Sequence, residues 1–349
     1  MKKAQDALIL QGGGALGAYE VGVIRRLKEM EDFQPAVITG VSIGAVNAAI
    51  LVGARDNPMA ALESIWEDFT VTAPWPVPDV VEPYLSLFGN QSLYRPRMDL
   101  AAWARWTSYY DTTPLRGVLE KYIDFAALNK SPMKLAVTAA NVQSGAVEVF
   151  DNHSPKQKLN PDHILASGSL PPGFPMTKIG QQYYWDGGLF DNTPLQPAIE
   201  RLDPDPSVRK RLFVVKLFPN EGAVPENMFQ VSDRILEMVF SSKLAHDVAT
   251  AHRINEYIDV IRRIDEALDT ATDQKAVQGI RKHPAFQRLQ QYMALEEIIC
   301  IENKDPEIVT GPFDFSPKRI QQRIEAGYRD AGLAVSGLPV QQYARTPVG

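Results

Sequence analysis

The chain has 349 residues, 45% of them hydrophobic and 22% charged, with 36 Lys and Arg against 42 Asp and Glu for a formal net charge of −6. That apolar share supports a packed core, and the mild acidic excess excludes a global attraction to nucleic acid or anionic lipid. A single cysteine, Cys300, excludes an intrachain disulfide framework and a cysteine-rich zinc site.

The N-terminal Lys2-Lys3 is followed by a four-residue apolar run, Ala7 to Leu10, too short for a secretory h-region. The longest apolar stretch, Gly40 to Ala54, is interrupted by Ser42 and Asn47 and falls short of a bilayer span. The expectation is a cytoplasmic protein without signal peptide or transmembrane helix, with room for peripheral membrane contact through apolar surface.

Ala7 to Leu10 reads as a buried strand, Gly12 to Gly17 as a loop, and Ala18 to Met30 as a helix with Val21, Ile24 and Leu27 at helical spacing. Ala36 to Thr39 is a second strand and Ile43 to Val52 an apolar helix. This order predicts a mostly parallel sheet flanked by helices. Residues 56–112 hold four of the five tryptophans and the run Pro74-Trp75-Pro76-Val77-Pro78, which opposes regular structure; they read as an insertion over the sheet. Strands return at Lys134 to Asn141 and Ala146 to Phe150 around a Gly145 turn. Asn160-Pro161-Asp162 opens a helix. Tyr183 to Trp185 and Arg211 to Phe218 are strand-like. Residues 230–295 read as helix-rich, with an amphipathic run from Ser232 to Leu268. Glu297 to Glu302 is a further strand, in which Cys300 reads as a small buried hydrophobe. Ser316-Pro317 caps a last helix ending near Gly332.

Three segments could carry chemistry. Gly12-Gly13-Gly14-Ala15-Leu16-Gly17 lies between a strand and a helix and has the spacing G-x-G-x-x-G. It fits a dinucleotide turn, with Glu31 and Asp32 where a ribose-binding acid would be sought. Free N–H groups at a helix start equally stabilise the oxyanion of an ester under attack. Gly40-Val41-Ser42-Ile43-Gly44 places G-x-S-x-G between strand and helix, the context a nucleophile elbow requires. Asp186-Gly187-Gly188 is a turn by composition, but it sets a carboxylate at a strand end, where open α/β sheets place their sites.

Together with Ala166-Ser167-Gly168-Ser169-Leu170-Pro171-Pro172-Gly173-Phe174-Pro175 and Leu189-Phe190-Asp191-Asn192-Thr193-Pro194, these blocks resemble the patatin-like phospholipases in order and spacing over residues 8–200. The resemblance implies an α/β patatin-like sandwich and ester hydrolysis on lipid without a cofactor. It implies Ser42 as nucleophile, Asp186 as its partner and Gly12, Gly13 and Gly14 as oxyanion donors, with Gly17, Gly40, Gly44, Gly187 and Gly188 supporting the turns. Many members carry Arg or Lys in the glycine loop where this chain has Leu16.

A free Asp is a weak base for a serine hydroxyl; burial without a cation raises its pKa and improves it. None of His153, His163, His246, His252 and His283 lies in a recognisable base motif, which favours a Ser-Asp dyad over a triad. No H-E-x-x-H or acidic EF-hand loop suggests a metal. The expected organisation is a catalytic domain over 5–220, with the aromatic 56–112 segment as either an acyl-binding lid or a satellite core, and a helix-rich extension over 221–349 packed on the same core. The expected activity is phospholipase A-like or lysophospholipase-like. The alternatives are hydrolysis or acyl transfer on another ester such as a polyester or thioester, a dinucleotide-binding oxidoreductase, and a non-catalytic lipid-binding module. The expected partner is a lipid or other acyl ester, not nucleic acid.

Overall fold

The computed structural model describes residues 4–78, 81–203, 205, 208–219, 224–226, 228, 231, 234–235, 237–241, 257, 260–261, 263–284, 286–287, 297–304 and 311–336. In chain order the first half comprises β1 (Ala4–Leu10), α1 (Ala18–Lys28), β2 (Pro35–Gly40), α2 (Ile43–Gly53), α3 (Pro58–Asp68), β3 (Arg95–Pro96), β4 (Tyr110–Asp111), α4 (Thr113–Tyr122), α5 (Phe125–Leu128) and β5 (Lys134–Asn141). The second half comprises β6 (Val147–Asp151), α6 (Pro161–Ser167), β7 (Thr177–Ile179), β8 (Gln182–Asp186), α7 (Leu195–Ile199), β9 (Arg209–Lys216), α8 (Gln274–Lys282), β10 (Glu297–Glu302) and α9 (Pro317–Val335). Most of the expected amphipathic run 232–268 lies outside the described residues.

Eight strands form one mixed sheet in the order β10-β9-β1-β2-β5-β8-β7, with β6 also paired to β5. The pairs β10–β9, β9–β1, β1–β2 and β2–β5 are parallel; β5–β6, β5–β8 and β8–β7 are antiparallel. The sheet buries both faces, and strand alternation divides them. Leu8 and Leu10 of β1 and Phe213 and Val215 of β9 face the larger core with α1, α2 and α9. Ala7, Ile9, Leu212 and Val214 face a smaller core under α7. No helix among the described residues is long and apolar enough to cross a membrane.

One topological detail positions the site. β2 pairs with Lys134–Val137 of β5 and β8 with Ala139–Asn141, while β6 spans Ala136–Ala140. Since β6 overlaps both, β2 and β8 must share the opposite edge of β5. The C-terminal ends of β2, at Gly40, and β8, at Asp186, therefore meet head to head two residues apart along β5.

Residues 58–68, read from composition as part of an insertion, form α3 instead. Asn57 caps it by accepting from Met59 and Ala60 N–H, and Pro58 occupies its first turn. Leu62, Ile65 and Trp66 are fully buried in the main core. Trp66 donates its indole N–H to Asn47 of α2 at 3.0 Å. One of the four tryptophans of residues 56–112 is thus a core residue.

The irregular structure begins after Asp68. Residues 69–112 form two 3₁₀ turns, at Glu82–Phe88 and Leu100–Arg105, and the two-residue ribbon β3–β4. One side packs inward through Leu93, Tyr94 and Tyr110, with Tyr94 and Tyr110 ring centroids 5.2 and 6.1 Å from Phe174. The other side leaves Trp75, Phe88, Met98, Trp103 and Tyr109 exposed. Beyond residue 221, β10 extends the sheet along β9 in parallel register and α9 lies across α1.

Candidate active site

β2 ends at Gly40, and the chain reverses through Ser42 into α2. Ser42 has φ 56° and ψ −125°, making it the only non-glycine described residue with positive φ. Holding a side chain there costs roughly 1–3 kcal/mol, and the surroundings enforce it. A Cβ on Gly40 would lie 2.4 Å from the Gly44 carbonyl oxygen, so both ends of the elbow must pack without side chains. The Ser42 N–H donates to the Ser167 carbonyl at 3.1 Å and to its hydroxyl at 3.0 Å. The Ser167 hydroxyl in turn donates to the Thr138 carbonyl of β5 at 2.7 Å.

Asp186 ends β8 and is 2% exposed. Its N–H donates to the Ser169 carbonyl at 3.0 Å and its carboxylate accepts from Gly188 N–H at 2.7 Å, with the Ser42 side chain close enough to lower its pKa. Burial pushes its pKa up to about 7 against the smaller opposing effects of the Ser42 hydroxyl and the Gly188 N–H. The backbone around Ser167 to Ser169 thus fastens both Ser42 and Asp186.

The glycine loop lies beside the elbow. A Cβ on Gly12 would come within 2.8 Å of the Ser42 Cβ and 2.6 Å of Asn192 Oδ1. Asn192 closes a two-bond ring with Gly12, accepting its N–H at 3.1 Å and donating to its carbonyl at 3.0 Å. This narrows the expectation for the loop: the Gly12 N–H is engaged, whereas those of Gly13 and Gly14 and of Ile43, the first residue of α2, have no hydrogen-bond partner among the described residues. Gly17 closes the loop, its carbonyl accepting from the Asn47 side chain at 3.1 Å. Gly187 and Gly188 form the turn after Asp186, and Thr193 and Pro194 continue the anchoring, bonded to the Gln11 amide and the Thr39 hydroxyl.

Beneath the loop lies Glu20, fully buried and bonded to Asn47 Nδ2 at 2.8 Å. Burial pushes its pKa well above the carboxylate range, more than the Asn47 bond and the nearby Gln11 backbone lower it. Sequence reading missed Ser167, Asn192 and Glu20 as site-forming residues. Only the position of Asn192, just past Asp186-Gly187-Gly188, offered a signal.

The histidines stand apart. His163 caps α6 by accepting the Asn160 N–H, and His153 contacts the Ser131 carbonyl. No bond joins a described histidine to Ser42 or Asp186. His246 and His252 lie outside the described residues. The acid sought for a ribose is otherwise engaged: Asp32 pairs with Arg211 at 2.7 Å, together with Asp6.

Residues 8–199 match the family model described as patatin-like phospholipase. A curated relative, the cGAMP-activated phospholipase of Pseudomonas aeruginosa, is 27% identical over 197 residues, covering 54% of this chain and 53% of its own length. The chain therefore spans about half the length of that relative. Among solved structures it is similar to VipD from Legionella pneumophila, with 16% identity, coverage of 96% of this chain and 67% of that one, and a TM-score of 0.41. It is also similar to ExoU in the ExoU–SpcU complex of Pseudomonas aeruginosa, with 15% identity, coverage of 82% and 68%, and a TM-score of 0.32. The family match takes in the glycine loop, the serine elbow and the Asp-Gly-Gly turn and covers more than half of the chain, which accordingly belongs to the patatin-like phospholipase family.

Proposed function

We propose that the protein is a serine acyl hydrolase acting on lipid esters through a Ser42–Asp186 dyad. The observation that carries the reading is the pairing of a serine held at positive φ with a buried carboxylate whose pKa is raised to about 7. Such a carboxylate is ionised often enough near neutrality to accept a proton, and basic enough to draw it from a hydroxyl.

In this mechanism ionised Asp186 takes the proton of the Ser42 hydroxyl as Oγ attacks the ester carbonyl carbon. The carbonyl π-electrons move onto oxygen, and the oxyanion is met by the N–H groups of Gly13 and Gly14. Collapse of the intermediate breaks the ester C–O bond, and Asp186 returns the proton to the departing alcohol. Water then attacks the acyl-Ser42 ester, giving its proton to Asp186; the acyl–Oγ bond breaks, Asp186 returns that proton to Oγ, and the fatty acid leaves. Gly12, whose N–H donates to Asn192, fixes the loop and is not available to the oxyanion.

The lipid substrate class follows from the family and from the name of the phospholipase relative. The aromatic segment, tied by Tyr109 and Tyr110 N–H to the Pro172 and Gly173 carbonyls, presents an exposed apolar surface suited to lipid. The test is release of fatty acid from phosphatidylcholine and lysophosphatidylcholine by wild type and Ser42→Ala. Turnover lost in the variant, with the fold unchanged by circular dichroism, supports the reading. Equal turnover refutes it.

A further inference from the structure

The family match ends at residue 199, yet a residue far beyond it reaches the glycine loop. Arg323 of α9 is 3% exposed. Its guanidinium donates to the Ala15 carbonyl at 3.2 Å, to the Asp314 carbonyl at 2.6 Å and to the Gly311 carbonyl at 2.8 Å. One planar fork thereby joins the glycine loop to the turn 311–314, which precedes α9. A guanidinium suits this task because its donors diverge in a fixed plane.

That turn presses on the loop where the proposed donors lie. A Cβ on Gly14, at φ 56°, would fall 2.4 Å from the Pro312 carbonyl oxygen. The loop Gly12–Gly17 contains no charged residue, and its largest side chain, Leu16, is buried. It therefore carries no polar side chain to hold its own carbonyls. The same turn is bonded to the aromatic segment, with the Ser86 hydroxyl donating to the Phe313 carbonyl, and just past it the Phe315 carbonyl accepts from Val71 N–H.

We propose that Arg323 is a positioning residue for the oxyanion loop, stapling the 311–314 turn against Gly14 and Ala15 so that the Gly13 and Gly14 N–H groups stay aimed at the reacting carbonyl. The proposal rests on the hydrolase reading for its catalytic consequence, while the staple itself is independent of it. Loop donors act through placement, so a shift well under the length of a bond to the oxyanion lowers the rate without altering substrate affinity.

The experiment compares full-length wild type, Arg323→Met and Arg323→Lys by three readings. These are hydrogen exchange of peptides covering residues 11–18, kcat and KM on p-nitrophenyl butyrate per fluorophosphonate-reactive Ser42, and melting temperature. Arg323→Met should lower kcat by about 10- to 100-fold with KM within about twofold, and should speed exchange of the loop. Arg323→Lys, which keeps the charge but loses the planar fork, should lose about tenfold or less; it carries the test if the Met variant fails to fold. A lower melting temperature with kcat per reactive serine and loop exchange both unchanged would make Arg323 a purely structural residue and overturn the proposal. Wild type inert toward esters would defeat the hydrolase reading, and the exchange comparison would still decide the staple.

Discussion

Asn192 pairs with the backbone of Gly12 as one amide pairs with another, donating to its carbonyl at 3.0 Å and accepting its N–H at 3.1 Å across 180 residues of sequence. The ring joins the turn that follows Asp186 to the loop beside Ser42. In the proposed mechanism it would fix the distance between Asp186 and the Gly13 and Gly14 N–H groups.

Substituting Asn192 tests that ring. Asn192→Ala leaves both Gly12 groups unpaired in a buried place, and Asn192→Asp sets a carboxylate against a carbonyl oxygen while offering no donor. The expected outcome is a kcat loss of about tenfold for Ala and a larger loss for Asp. Steady-state kinetics on a soluble ester, with protein normalised by serine labelling, checks the order.

The raised pKa of Asp186 predicts opposite pH effects on activity and stability. In the proposed mechanism activity needs the ionised carboxylate, so kcat/KM should rise with pH through about 7 and then level. In the unfolded chain the group titrates at 3.8, so between 3.8 and about 7 the folded state holds more proton than the unfolded. Stability therefore falls as pH rises across that window, by up to ~4 kcal/mol. Asp186→Asn removes the titrating group. The variant should be inactive yet melt at or above wild type at pH 8, with the difference shrinking toward pH 4. Melting curves at several pH values would reveal a variant that melts lower at pH 8, the opposite of this expectation.

The contact of α1 with α9 makes a separate stability prediction. A Cβ on Gly22 would lie 1.9 Å from the Ile324 carbonyl oxygen, and one on Gly327 would lie 2.0 Å from the Tyr19 carbonyl oxygen. Backbone atoms cannot swing aside as side chains do, so Gly22→Ala and Gly327→Ala should each destabilise by about 2 kcal/mol or more. Gly117→Ala, where the added methyl meets nothing within 4 Å, is the control and should match or exceed wild type in denaturant unfolding.

Phe88, at 81% exposure, and Trp103, at 70%, project from the aromatic segment. Exposed aromatic side chains partition to a lipid–water interface. The double variant Phe88→Ser/Trp103→Ser should lose activity on phosphatidylcholine vesicles by about tenfold while hydrolysis of a monomeric short-chain ester changes less than about twofold. Equal effects on both substrates would assign these side chains to folding instead.

Much of this architecture was legible in sequence, and the exceptions have physical causes. Strands Lys134–Asn141 and Glu297–Glu302 coincide with their expected bounds, the first because a buried strand is a near-continuous apolar run and the second because Ile298 to Ile301 is an apolar run between charged residues. The elbow and the Asp-Gly-Gly turn announce themselves by glycine spacing. By contrast, α3 was hidden by aromatic composition, since Trp66 reads alike in a lid and in a core. Asn192, Ser167 and Arg323 act through backbone groups far along the chain, and a side chain that bonds a distant carbonyl leaves no local pattern. The meeting of β2 and β8 on one edge of β5 is likewise a property of topology that no single segment encodes.

The most direct test of the central claim is labelling of wild type and Ser42→Ala with a fluorophosphonate probe, with the adduct mapped by mass spectrometry and the pH dependence of labelling recorded. The account predicts one adduct, on Ser42, absent from the variant and forming faster as pH rises through about 7. An adduct on another serine, or equal labelling of the Ser42→Ala protein, would contradict it.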